Sequence, residues 1–148
     1  MTTETEPTVR EQIRALLDDR AAAIAAGDAH RVVALYAPRV VSFRLIPPLR
    51  YGNEVRDPVD FDGWVRMWAA APRYDIGEPV IEAGDDVAFC HGLTHVTGTK
   101  VDGEQVDMWF RATIGFIRTA AGWRITHEHD STPFYVDGSG RAATDLKP

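Results

Sequence analysis

The sequence has little of three things: cysteine, clustered positive charge and long apolar runs. Cys90 stands alone, which excludes an intrachain disulfide and a cysteine-based zinc cluster, and its setting in the apolar stretch "VAFC" marks it as a small core residue. Lys and Arg number 16 against 22 Asp and Glu, a net charge of −6 without any basic run. Phosphate-backbone sites cluster Lys and Arg, so no nucleic-acid partner is expected. No apolar stretch approaches the roughly 20 residues of a membrane helix. The opening "MTTETEPT" is acidic and polar rather than signal-like, so the expectation is no membrane and a cytoplasmic location. What is present is a chain of 148 residues, 45% hydrophobic, enough for one domain with a real core.

The first third reads as helix. "TVRE" (Thr8 to Glu11) fits a capping box, and Val9, Ile13, Leu16, Leu17 and Ile24 follow at helical spacing until Gly27. Asp28 is placed to cap a second, shorter helix carrying Val32, Val33, Leu35 and Tyr36, which Pro38 ends. "VVSFRLIPPLRY" (Val40 to Tyr51) is β-rich around Pro47-Pro48 and predicts a short hairpin with an irregular tip. Phe61, Trp64, Val65 and Trp68 form an i, i+3, i+4, i+7 stripe, a third helix cut off by Pro72.

Strands follow. The predicted runs are Tyr74–Ala83, Val87–Val101, Gln105–Arg118 and Trp123–Val136, separated by Gly84-Asp85, Asp102-Gly103 and Ala121-Gly122 turns. Alternation puts Trp123, Ile125, His127, His129 and Ser131 of "GWRITHEHDSTP" on one face. With Trp123 opposite Ile117 and His129 opposite Arg111, one sheet face collects Asp107, Trp109, Arg111, Thr113, His127, His129 and Ser131. The other collects Met108, Phe110, Ala112, Ile114 and Phe116, and Glu128 and Asp130 turn away from the histidines toward interface or solvent. A one-residue slip would reverse the faces. Helices before a long antiparallel sheet predict an α+β domain. The expectation is that the helices, with Tyr36, Trp64 and Trp68, cover the polar face and enclose a cavity, while the apolar stripe forms a homodimer interface.

The order helix-helix-hairpin-helix-meander, with "LYAPRVVSF", "PPL", "DVAFCHGL", "GTKVDGEQVDMWFRAT" and "GWRITHEHDSTPF", resembles the SnoaL-like and ketosteroid-isomerase-like branch of the nuclear transport factor 2-like superfamily. The resemblance covers residues 8–136, flanked by a disordered N-terminus (1–7) and a flexible tail (137–148). It implies a cone-shaped curved antiparallel sheet wrapped around three N-terminal helices. It also implies a deep pocket, a dimer through the sheet and no cofactor.

Within that frame the expected function is cofactor-independent proton transfer on a carbonyl-containing, largely apolar small molecule, as in an isomerase, cyclase or dehydratase. The alternative is a non-catalytic module that sequesters a hydrophobic metabolite. His129 is the leading acid or base and Asp107 its carboxylate partner or substitute, while Arg111 and His127 would position substrate or stabilise an oxyanion. Tyr36, Tyr51, Trp64, Trp68, Trp109, Thr113 and Ser131 are the expected substrate-binding lining. Two histidines without a clear third ligand do not make a metal site, so no metal is expected.

Overall fold

The computed structural model describes residues 5–148. Helix α1 (Val9–Ala25) starts on the expected capping box: Thr8 Oγ1 accepts from the Glu11 amide at 3.2 Å, and the Glu11 carboxylate accepts from the Thr8 amide at 2.7 Å. Gly27, at φ +64°, turns the chain, and Asp28 caps α2 (Ala29–Val33) by accepting from the Arg31 amide. Pro38 does not end that helix; it lies inside β1 (Tyr36–Phe43). The expected hairpin is a single bridge, Ser42 with Tyr51, and a short 3₁₀ turn over Asn53–Arg56 leads into α3 (Pro58–Val65). Trp68 lies just past α3, where its ring rests 2.9–3.0 Å from the place a side chain on Gly98 would occupy.

The strand run expected over Tyr74–Ala83 is broken at Gly77 into β2 (Arg73–Asp75) and β3 (Val80–Ala83), both paired antiparallel with β4 (Val87–Thr99). β5 (Gln105–Thr119) and β6 (Gly122–Ser131) complete the meander. The sheet runs β1-β6-β5-β4-β2, and β1 joins β6 in parallel, so the sheet is mixed, curved and open rather than wholly antiparallel.

Register decides which side chains meet the helices. The turn between β5 and β6 is two residues, Ala120-Ala121, so Trp123 pairs with Arg118 rather than Ile117. A bulge follows: Ile125 pairs with Phe116 but His127 pairs with Gly115, leaving Thr126 as the extra residue. Without it, alternation from Trp123 would carry His127 and His129 inward. With it, Trp123, Ile125, Glu128 and Asp130 face the helices, and His127, His129 and Ser131 face out.

The sequence therefore grouped the residues of β5 and the end of β6 correctly, placed Trp123 and Ile125 with the histidines where the bulge separates them, and assigned the helices to the wrong face. Phe116 is 0% exposed and with Ile114 is core under α1, while Phe110, 4% exposed, packs with Trp64, Trp68 and Tyr74, so this stripe is not a dimer interface. The physical reason is that helix-on-sheet packing takes the face that gains most from leaving water. Ile13, Leu16 and Leu17 of α1 pack against Ile114, Phe116, Trp123 and Ile125. Among the described residues no helix is long and apolar enough to cross a membrane.

The tail expected to be flexible carries its own hydrogen bonds. Tyr135 and Ala143 amides donate to the Arg141 and Pro133 carbonyls, Ala143 is buried, and Lys147 Nζ lies 3.3 Å from Asp107 Oδ2.

Candidate active site

The buried charges are on the inner face. Beyond the bulge, Glu128 and Asp130 stand two residues apart on β6 and both point under the helices. Arg20 reaches them from α1; it follows Ile13 and Leu17 by seven and three residues and so lies in register with the apolar stripe. Its guanidinium forms a buried ion pair with Glu128 Oε1. Glu128 Oε2 accepts from the Tyr36 hydroxyl at 3.1 Å and the Ser42 hydroxyl at 3.2 Å, so both oxygens of this carboxylate are satisfied. Burial opposes the charge on Arg20, but Glu128 first, together with Tyr36, Tyr74 and Asp130, more than offsets it and holds the guanidinium firmly protonated. Burial pushes the Tyr36 phenol well above its ordinary value.

Asp130 is the group left over. The inner face sets two carboxyls against Arg20, and Arg20 is spent on Glu128. Arg44 is engaged too, in a two-bond fork to Asp60 at 3.1 and 2.6 Å with its guanidinium 4.4 Å from the centre of the Tyr51 ring. Burial first, then the charge of Glu128, pushes the Asp130 carboxyl up to about 7, against the opposing pull of Arg20, Arg44 and the nearby Tyr74 phenol. Asp130 and Tyr74, with Leu17, Ile24, Thr94 and Ala112, help line a cavity of about 20 Å³. That is room for one water-sized group. The space expected for a deep pocket is filled instead by Trp64, Trp68, Tyr74 and Phe110, whose successive ring centres lie 5.7–6.1 Å apart.

Most residues singled out from the sequence lie on the opposite, outer face. Asp107 accepts from His95 at 2.6 Å and pairs with Lys147; these hydrogen bonds hold its carboxyl below its ordinary value. Trp109 stacks on His95 at 4.1 Å. Arg111 Nε donates to Ser131 Oγ at 3.1 Å, and Thr113 pairs with His129. His127 Nδ1 lies 2.8 Å from the Val41 carbonyl, and both His127 and His129 meet the edge of Phe43. None of these residues lines the inner cavity. Tyr51 donates to the Pro47 carbonyl at the loop tip, Trp64 and Trp68 are interior wall, and Tyr36 alone of the expected lining touches the buried charges.

Sequence reading missed Arg20, Ser42, Tyr74, Glu128 and Asp130 as a group. The available signal was an arginine on the apolar stripe of α1, which had to meet a carboxylate inside. Among the described residues no three His, Cys, Asp or Glu side chains are grouped to hold a metal ion.

The family model for a SnoaL-like domain matches residues 13–135. No curated protein matches the chain. Among solved structures, a nuclear transport factor 2-like protein of unknown function from Pseudomonas putida KT2440 is similar at 27% identity, covering 93% of this chain and 94% of its own, with a TM-score of 0.80. A candidate calcium/calmodulin dependent protein kinase II association domain from Xanthomonas campestris is similar at 25% identity over 84% and 88%, TM-score 0.71. A candidate dehydratase of the nuclear transport factor 2-like family from Streptomyces avermitilis shares the fold at 15% identity over 82% and 94%, TM-score 0.71.

Proposed function

The chain belongs to the SnoaL-like domain family, and from that premise we propose that it is a cofactor-independent enzyme of acid–base chemistry on an uncharged, largely apolar small molecule bearing a carbonyl or hydroxyl. The observation that carries this reading is the Asp130 carboxyl, set on the cavity wall and held near neutrality by burial and by Glu128. A carboxyl poised there is suited to give and take a proton at physiological pH. Glu128 and Arg20 form the fixed charge pair behind it, and Tyr74 and Thr94 are hydroxyls on the same wall. Buried Arg20 and half-buried Arg44 are paired with Glu128 and Asp60, which favours a neutral ligand over an anionic one. In this reading the acid–base role first given to His129, with Asp107, Arg111 and His127, passes to Asp130.

A cavity of about 20 Å³ is far below the roughly 300 Å³ of a small-ligand site, so admission of a substrate requires the ring cluster of Trp64, Tyr74 and Phe110 to move. That small volume favours the second reading, a non-catalytic module whose ion cluster holds the fold together. Turnover separates the two. Asp130→Asn is expected to lose on the order of 10²–10⁴-fold in rate on a substrate found by screening neutral carbonyl and hydroxyl compounds, while remaining folded. Full activity in that variant would remove Asp130 from the chemistry.

The quaternary part of the reading is a homodimer through the outer sheet face. Phe89 and Leu93 are 46% and 42% exposed there, in rows with His127 and Arg111.

A further inference from the structure

Four of the chain's five histidines lie on the outer face: His91 and His95 on β4, His127 and His129 on β6. They share it with exposed Phe89 and Leu93, half-buried Trp109, and Val41 and Phe43 of β1. Fixed charges face the histidines from the neighbouring strands. On β1 the neighbours of His127 and His129 are Val41 and Phe43, with exposed Arg39 two residues before Val41; on β3 exposed Glu82 stands opposite Phe89 and diagonal to His91; on β2 exposed Asp75 pairs with His95; and β6 itself carries Arg124. β5 presents Arg111 and Asp107; Asp107 is taken up by His95 and by Lys147 of the tail, and Arg111 donates to Ser131. Glu128 and Asp130 lie behind the sheet with their side chains turned inward.

β4 and β5 over the ten steps from Asp107 to Ile117, with β6 joining from Arg111 and β1 beside His127 and His129, make a face of roughly 500 Å² at about 3.4 Å per residue and 4.8 Å per strand. That approaches the roughly 600 Å² per partner at the lower end of stable interfaces, so a second copy covers it with little left over. In such a pairing the imidazoles are desolvated against one another and against two copies of Arg111. Imidazoles are the side chains that change charge between pH 5 and 8. His95 has Asp107 to balance a proton, whereas His91 forms no ion pair with diagonal Glu82, and His127 and His129 have no carboxylate opposite them on β1 or β5.

We propose that self-association through the outer sheet face is gated by protonation of His91, His127 and His129, the dimer forming when they are neutral and separating as pH falls. This rests on the dimer reading above. The sign follows from proton counting: the separated copies bind more protons than the dimer, so acid favours separation, by up to about tenfold per imidazole for each unit by which burial between copies lowers its affinity for the proton.

Sedimentation equilibrium at pH 7.5 and 5.5 on the full chain, on the triple variant H91Q/H127Q/H129Q and on Asp130→Asn tests this. The expected result is a wild-type dimer whose Kd weakens by about 100-fold at pH 5.5, a triple variant whose Kd holds, and an Asp130→Asn protein that behaves as wild type. A wild-type dimer of equal strength at both pH values would overturn the gate alone. So would equal weakening in the triple variant, which is also what acid unfolding would produce. A monomer at pH 7.5 would overturn the dimer reading and the gate with it.

Discussion

Glu128 and Asp130 are neighbours on one face of one strand, yet their surroundings set them apart. Glu128 has a guanidinium and two hydroxyls; Asp130 has a cavity wall and an unfavourable neighbour. An aspartate raised to about 7 from an unfolded value near 4 binds its proton more tightly in the folded chain. Below about pH 4 both states are protonated and the group is neutral toward stability. Between about 4 and 7 unfolding releases the proton, so stability falls as pH rises, by at most about 4 kcal/mol once the folded carboxyl ionises and by less where water reaches it. Asp130→Asn removes that penalty. Its melting temperature is expected to gain on wild type by several degrees between pH 5 and pH 8 in calorimetric scans; a gap independent of pH would mean that Asp130 titrates normally.

At the scale of the element, β6 changes its neighbours through a single residue. Thr126 is the bulge, and its hydroxyl is tied to the Arg39 carbonyl of β1 at 2.9 Å. Deleting Thr126 converts the strand to regular alternation with Ile125, Glu128 and Asp130 still inward and the histidines still outward. The expected outcome is a folded protein, less stable by about 1 kcal/mol for the lost hydrogen bond, measured by urea denaturation. A protein that fails to fold would show that the local twist of the bulge, rather than the parity it sets, is what the sheet needs. The bulge was not legible beforehand, because "RITHEH" contains no glycine or proline to mark it. The caps at Thr8 and Asp28 and the breaks at Gly27 and Gly103 were legible, since each follows from a local hydrogen bond or a positive φ. The parallel pairing of β1 with β6 was not, because it joins segments some 86 residues apart.

At the scale of the molecule, alternation sorted β5 and the end of β6 into the right two sets, but it does not itself say which set the helices cover, and the expectation that they cover the polar set was wrong. Hydrophobic burial decides it: Ile114 and Phe116 go under α1, Phe110 goes against Trp64 and Trp68, and the imidazoles stay outside. The interior charges then come from residues that alternation had turned away, Glu128 and Asp130, joined by Arg20 from the apolar face of α1. Fold and family were readable because they depend on element order, and the site was not because it depends on one inserted residue. The decisive measurement is a carbon-13 NMR titration of the aspartate carboxyls, with the Asp130 signal assigned by its loss in Asp130→Asn. A midpoint of about 7 is expected for this carboxyl in the folded protein, and a midpoint near the ordinary value of about 4 would contradict an acid–base site at Asp130.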